Sequence, residues 1–475
     1  MTTVTRPSAA AVRAAAYPPL PPPITARSKP KPCFPEFILG AWDKKRELAN
    51  QTECTNGLGK ILLLLSSKGH CEYRLLMNRD AMNRRSFLRQ SALATVASVS
   101  VPGCRTSKSG GGAEVIAKGK WVKHGVLLEA TEPWEGKSIQ NFTSSVELKS
   151  RDQVRIWYSV VSEDGDYKLA YAEGTPWGQL RKVQATVSVG EPKDSDFSIG
   201  NLPEGWRPVQ STHIQLRDGR HRLYFWVHGP RVVRYLVAES DDGRVYRVRD
   251  PLRAVLYHPS DRAAWGVASP DGMMAHREPS RELQAGEALA EPRQISNDAT
   301  TIYQMPDGSF EMYSVALLRV TKDSPAYVAE DNAPGLVRVV DRYVSTDGFH
   351  FDDRRRVVQP DENDPSDQQF YYLSVTHTGT QRVGILGHYR CRAQTMDLEL
   401  CFSEDGQQWR RPYRKAWIER SSPPAPDCCG MYAPNSLVKW KGRWQLFYTG
   451  VNHSHNGKRT YGPARQLVMW ASCEG

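Results

Sequence analysis

Ser240-Asp241-Asp242-Gly243-Arg244-Val245-Tyr246, Ser345-Thr346-Asp347-Gly348-Phe349-His350-Phe351 and Ser403-Glu404-Asp405-Gly406-Gln407-Gln408-Trp409 are three copies of one pattern, Ser-x-Asp-Gly-x-x-aromatic. Asp-Gly supplies the positive-φ turn of a tight hairpin, and the aromatic is placed to pack between sheets. Ala172-Glu173-Gly174-Thr175-Pro176-Trp177 reads as a worn fourth copy and Ser472-Cys473-Glu474-Gly475 as a truncated fifth. Each copy closes the same run of features: an alternating strand, a polar turn, then a second strand rich in aromatics. The turns are Arg151-Asp152, Asp218-Gly219, Asp307-Gly308, Thr378-Gly379 and Lys441-Gly442, spaced 67, 89, 71 and 63 residues apart. Five units of about 50–90 residues, each of about four strands, predict an all-β fold, a five-bladed β-propeller over residues 121–475. No long segment with a 3.6-residue apolar period occurs, which excludes a helical solenoid. A two-sheet sandwich would leave a turn motif in every unit unexplained.

The composition agrees. Of 475 residues, 40% are hydrophobic and 24% charged, enough apolar residues for a packed core and too many for bulk disorder. Mean hydropathy is −0.55 and no run approaches about 20 apolar residues, which excludes a polytopic helical membrane protein. The net charge of +11 is unevenly spread. Residues 1–103 hold 15 basic and 6 acidic side chains, leaving 48 and 46 for the rest. The basic excess belongs to the leader, so the charge argues for no nucleic-acid partner.

Met82-Asn-Arg-Arg-Ser-Phe-Leu-Arg-Gln90 leads into an apolar run ending at Val101-Pro102-Gly103-Cys104. A basic segment, a modest apolar run and a small-residue end make an export signal. Arg84-Arg85-Ser86-Phe87-Leu88-Arg89 resembles a twin-arginine signal, which implies export across a bacterial inner membrane and a periplasmic, membrane-anchored or secreted protein. Cys104 ends a lipobox-like stretch, and lipid there would tether the chain to a membrane, although Pro102 departs from the usual small residue. Residues 1–81 read as a mis-called or disordered extension, with Met77 or Met82 as the true start, and 105–120 as a flexible tether. Of the cysteines beyond the leader, Cys391 and Cys401 could pair across neighbouring strands; buried free thiols are the alternative for most of the five. Tyr257 to Pro292, in the longest interval, is expected as a loop or lid over one face.

By the repeat phase the innermost strands fall near 139–148, 209–217, 296–305, 368–378 and 431–440. They are polar, carrying Asn141, Gln210, His213, Asn297, Asp298, Gln369, Tyr371, Tyr432 and Asn435. Polar side chains with aromatics suit a sugar, which offers hydroxyls to bond and ring faces to stack. The alternative is a wet channel whose side chains satisfy one another.

Here the chain resembles a family. Five units ending in Ser-x-Asp-Gly-x-x-Trp, with an export signal, are similar to the five-bladed glycoside hydrolases of families 32, 43 and 68, most of all to family 32 N-terminal-like exported bacterial proteins. The resemblance is carried by Ile295-Ser-Asn-Asp-Ala-Thr300, Arg342-Tyr-Val-Ser-Thr-Asp-Gly348, and Asp397-Leu-Glu-Leu400 running into Ser403-Glu-Asp-Gly406 and Trp409-Arg-Arg-Pro412. It implies a carbohydrate substrate, no required cofactor, room for a structural Ca²⁺ in the channel, and catalytic carboxylates on the innermost strands of different blades. Asp298 fits best, with Asp367 and Glu399 as further catalytic candidates. Asn141, His213, Asn297, Arg342, Tyr371, His388, Tyr432 and Asn435 are candidate sugar contacts. Asn141 stands where the family would place its first acid, and asparagine cannot serve as base or nucleophile; Glu135 is near. No Glu-Gly-Pro-like motif occurs, and no metal site is read from the cysteines. Each candidate has a plainer role open to it: Asp298 as a turn cap, Asp367 as a loop residue, Glu399 as a solvated strand residue, Arg342 as the partner of an acid between blades, and His213 and His388 as core histidines. The function expected is glycosidic cleavage by carboxylate acid/base chemistry. The alternative is a sugar-binding propeller that has lost an acid; an interaction scaffold is the third reading.

Overall fold

The computed structural model describes residues 51–56, 59–65, 71–76, 111–136, 138–140, 145–150, 153–162, 165–175, 178–230, 232–258, 261, 294–379, 381–435 and 437–474. The chain divides into two compact units, 1–102 and 103–475. In the first, β1 (Gln51–Asn56), β2 (Gly59–Leu65) and β3 (Cys71–Leu76) form an antiparallel meander, where the sequence reading found no pattern. The twin-arginine stretch, Cys104 and residues 262–293 of the expected lid lie outside the described residues.

The second unit opens with α1 (Gly111–Lys118) and β4 (Lys120–Leu128). Part of the stretch that reads as a tether is therefore helical. The reason is burial: Ala113 and Ile116 enter the core, and Trp121 Nε1 donates to the Ile116 carbonyl at 3.0 Å. The next sheet holds β5 (Ser138–Ile139), β6 (Ser145–Ser150), β7 (Gln153–Val161), β8 (Tyr167–Gly174) and β9 (Leu180–Gln184). A second holds β10 (Thr186–Val187), β11 (Ser198–Gly200), β12 (Arg207–Gln215), β13 (His221–Gly229), β14 (Val232–Ser240), β15 (Val245–Val248) and β16 (Leu256–Tyr257). A third is the meander β17 (Gln294–Gln304), β18 (Phe310–Arg319), β19 (Leu336–Ser345) and β20 (Asp352–Val358).

The last sheet joins two meanders. β21 (Gln368–His377), β22 (Arg382–Arg390) and β23 (Thr395–Ser403) meet the second through one bridge, Met396 to Gly430. The second consists of β24 (Gly430–Tyr432), β25 (Val438–Trp440), β26 (Arg443–Val451) and β27 (Gln466–Glu474), completed by β4, which pairs antiparallel with β27. Lys120 to Leu128 thus supplies the strand beside β27 from the other end of this unit.

The repeated turns do more than reverse the chain. In each, the serine hydroxyl accepts from the glycine N–H, and the aspartate accepts from two following amides: Asp242 from Arg244 and Val245, Asp347 from Phe349 and His350, Asp405 from Gln407 and Gln408. The carbonyls left over point at the preceding meander. Arg155 and Trp157 of β7 donate to those of Asp242 and Gly243, and Arg222 and Tyr224 of β13 to those of Asp347 and Gly348. Tyr313 of β18 is placed alike against Gly406. One motif thus satisfies its own backbone and pins each unit to the one before.

Hydrogen bonds join β6, β12, β17, β21 and the connection between β24 and β25 in a closed circle. His213 N donates to Ser145 Oγ at 3.0 Å, Thr212 Oγ1 to the Thr300 carbonyl at 2.7 Å, and Thr301 Oγ1 to the Leu373 carbonyl at 2.6 Å. Leu437 N donates to Thr376 Oγ1 at 2.8 Å, and Ser145 Oγ returns to Asn435 Oδ1 at 3.1 Å. Small hydroxyl side chains let these backbones approach around a common axis.

The cysteines give a correction. Cys391, Cys401, Cys428, Cys429 and Cys473 are all buried free thiols. Cys401 lies opposite Gly384, seven residues along β22 from Cys391. At about 3.3 Å per residue that is roughly 23 Å, far beyond the ~7 Å Cα limit of a disulfide.

Candidate functional site

Strand order brings two groups of polar side chains to opposite halves of the axis. The first lies along the C-terminal halves of the inner strands. It surrounds a cavity of about 290 Å³ lined by Thr212, His213 and Gln215 of β12, Thr301, Tyr303 and Gln304 of β17, Ser145 and Val146 of β6, and Asn435. Four of the five meanders contribute, and no carboxylate is among its described lining residues. His213 and Asn435, both expected as sugar contacts, meet here. The His213 ring stacks on Trp157 with centroids 3.4 Å apart, and its Nε2 lies 3.0 Å from His221 Nδ1. Burial, then His221 and Arg155, hold its pKa well below the ordinary value, so the imidazole is neutral.

The second group sits where β21 and the Gly430–Tyr432 strand begin. Tyr371 OH is 2.6 Å from His455 Nε2, and Tyr432 OH is 2.7 Å from His455 Nδ1. Asn332 Nδ2 reaches the same histidine at 3.1 Å. Below them Arg338 donates to Asp331 Oδ2 at 2.9 Å, Gln369 Oε1 at 2.6 Å and Asn332 Oδ1 at 2.7 Å, with its guanidinium 4.4 Å over the Tyr371 ring. Tyr389 OH closes the network on Asp331 Oδ1 at 2.7 Å. Burial first, then Arg338, lowers the His455 pKa to about 3.

Tyr371 and Tyr432 were expected to offer ring faces to a ligand. Both are buried, and only Asn332 and His455 reach the surface. The two phenols form the floor of this cluster and orient the imidazole.

The remaining candidates are drawn into arginine networks inside the meanders. Asp367 accepts from Arg390 at 2.6 and 3.1 Å and from the Arg392 amide at 3.2 Å, clamping the turn after β22. Burial would raise its carboxyl, and the Arg390 and backbone bonds outweigh this and hold it below the ordinary value. Glu399 is fully buried on the third strand of its meander. It accepts from Arg411 at 2.8 and 3.0 Å and meets His388 Nδ1 at 2.8 Å. Arg411 in turn spans to Asp364 and stacks on Phe370. Arg342 pairs with Glu311, as does Arg382. Glu135 is buried too, bonded to Tyr158, Lys182 and two backbone amides. Asn141 and the side chains of Asn297 and Asp298 lie outside the described residues. The backbone of 296–299 falls in a bulge of β17, between Ile295 paired with Ala316 and Thr300 paired with Ser314.

Sequence reasoning missed His455, Asn332, Asp331, Arg338 and Tyr389. The first three come from connections after β26 and β18, where the repeat phase carries no information. Arg338 and Tyr389 lie on second and third strands rather than innermost ones.

No family model matches the chain, and no curated protein does. Solved structures do. A glycoside hydrolase aligns with TM-score 0.47 at 13% identity, over 78% of this chain and 96% of that one. An α-L-arabinofuranosidase from Podospora anserina, solved with cellotriose, gives 0.46 at 8% identity over 75% and 97%. A thermostable family-43 glycoside hydrolase gives 0.43 at 10% over 70% and 89%. All three are glycoside hydrolases, the class the repeat pattern resembles.

Proposed function

We propose that this chain is an exported five-bladed β-propeller of the glycoside-hydrolase type that binds a carbohydrate in its axial channel. The closed circle of hydrogen bonds through Ser145, Thr212, Thr301, Thr376 and Leu437 supports the five-bladed reading. The observation that carries the binding reading is the polar cavity of about 290 Å³ at the end of that circle. It offers amides, hydroxyls and a neutral imidazole, groups that exchange hydrogen bonds with sugar hydroxyls, with the Arg217 guanidinium also among its lining. Export follows the twin-arginine stretch, and lipid on Cys104 would hold the protein at a membrane.

Hydrolysis is the second reading, and Asp298 favours it. It is an acid of an innermost strand, within the irregular stretch of β17 between Ile295 and Thr300. Cleavage needs a second carboxylate about 5–10 Å away. Asp331, Asp367 and Glu399 are committed to arginines, which is why binding is the conclusion and cleavage the second reading.

The test is a glycan array and a hydrolysis screen on the full chain, beside Gln215→Leu, Asn435→Leu and Asp298→Asn. Glycan binding weakened at least tenfold by the two leucine variants supports the channel site. Turnover abolished by Asp298→Asn establishes hydrolysis. Absence of both glycan binding and turnover refutes both readings.

A further inference from the structure

We infer that Glu147, His213 and His221 form a binding site for a divalent transition-metal ion where the first and second meanders meet. The three come from β6, β12 and β13, and their ligand atoms lie within 4.8 Å of one another. The decisive distance is the 3.0 Å between His213 Nε2 and His221 Nδ1. Two nitrogens that far apart, each about 2.1 Å from one ion, subtend close to 90°. That is the angle between neighbouring positions of an octahedron, the arrangement of a two-histidine, one-carboxylate facial set.

Glu147 supplies the negative charge of the set, against the Arg155 guanidinium beside it. Glu147 Oε2 is buried and accepts no hydrogen bond from the described residues. Its nearest cation, Arg155, stands 3.8 Å off and is held by the Asp242 carbonyl at 2.8 Å. Trp157, stacked on His213, fixes that ring's plane. His213 also lines the axial cavity, which gives the ion a path of entry and space for water at the remaining positions. Two imidazoles and one carboxylate are a borderline donor set, favouring Co²⁺, Ni²⁺ or Zn²⁺ over Ca²⁺. The bound ion would also cross-link neighbouring units.

The inference is independent of the carbohydrate reading, because its test contains no sugar. Untagged full-length protein, stripped with EDTA, is titrated with Ni²⁺ by calorimetry and with Co²⁺ by visible absorption. One high-affinity site per chain is expected. Glu147→Gln and His221→Gln should each weaken it at least tenfold, while His350→Gln, an exposed histidine elsewhere, leaves it unchanged. Circular dichroism of the metal-free variants shows whether each folds; Glu147→Gln, which keeps both rings and the side-chain volume, decides if His221→Gln does not. Equal affinity in the wild type and Glu147→Gln, loss on His350→Gln, or Ca²⁺ binding as tightly as Ni²⁺ would overturn the assignment.

Discussion

Replacing Glu311 with glutamine tests how neighbouring units are held together. Its carboxylate is 2% exposed and receives Arg342 from its own meander and Arg382 from the next, with Arg382 Nε at 3.0 Å and Nη2 at 2.9 Å. Tyr303 and Tyr313 add hydroxyl bonds. Arg382 also donates to the Glu404 carbonyl of the repeated turn. Both guanidiniums are more than nine-tenths buried, so without the anion two positive charges stay in the interior uncompensated. Breaking such a buried pair costs about 3–5 kcal/mol. Glutamine keeps the shape and one acceptor, so we expect about 3 kcal/mol in urea denaturation. Glu173→Gln, whose partner Arg181 is 46% exposed, should cost under about 1 kcal/mol. The pH dependence supplies a second reading. Burial would raise the Glu311 carboxyl, but bonds from Arg382, Tyr303 and Arg342 outweigh it and hold it below the ordinary value. A depressed folded pKa gives stability that is complete above the unfolded pKa and lost as pH falls through the folded one. The gap between wild type and Glu311→Gln should therefore narrow with acidification. A cost under 1 kcal/mol, or a gap that does not depend on pH, would refute the reasoning.

Two further outcomes follow from the same geometry. Gly348 has φ +73°, and a Cβ there would lie 2.2 Å from Arg222 Nη1 and 2.9 Å from Tyr224 OH. Gly348→Ala should cost about 1–3 kcal/mol through strain and displaced contacts between units, read as a lower urea midpoint. His455, with its pKa lowered to about 3 by burial and Arg338, should show no imidazole titration by NMR between pH 5 and 8. A His455 midpoint near 6.5 would mean that water reaches the ring freely.

The strand plan was legible because its signal is local. Ser240 to Tyr246, Ser345 to Phe351 and Ser403 to Trp409 carry their turn geometry within seven residues, and distance from those turns placed the innermost strands. Val209 to Arg217, for example, overlaps β12 with an offset of two residues at each end. The side-chain networks were not legible, because their partners are far apart in sequence. Glu399 and Arg411 are 12 residues apart, and Arg411 and Asp364 are 47 apart. Alternation alone made Glu399 solvated or catalytic, whereas an arginine from the following loop made it interior. The same limit hid His455, which meets Tyr371 across 84 positions. What the repeat phase did contain was the hydroxyl in the inner strands. Ser145, Thr212, Thr301 and Thr376 each bond to the neighbouring meander, and none carries a motif beyond its place in the repeat.

The thiols bear on the proposed export. In an oxidising compartment, paired cysteines usually staple small domains that lack sufficient core, whereas the second unit carries five buried thiols with no disulfide among them. Two of them, Cys428 and Cys429, are adjacent, and burial followed by the neighbouring thiol pushes Cys428 up to about 11. At neutral pH the reactive thiolate is therefore scarce, and access is poor as well. Such thiols survive an oxidising compartment only if the chain is already folded on arrival, since an unfolded chain would expose all of them to mispairing. A route that carries folded proteins meets that condition and threading an unfolded chain does not. On the proposed export, the buried, unpaired cysteines would be protected by folding before transport.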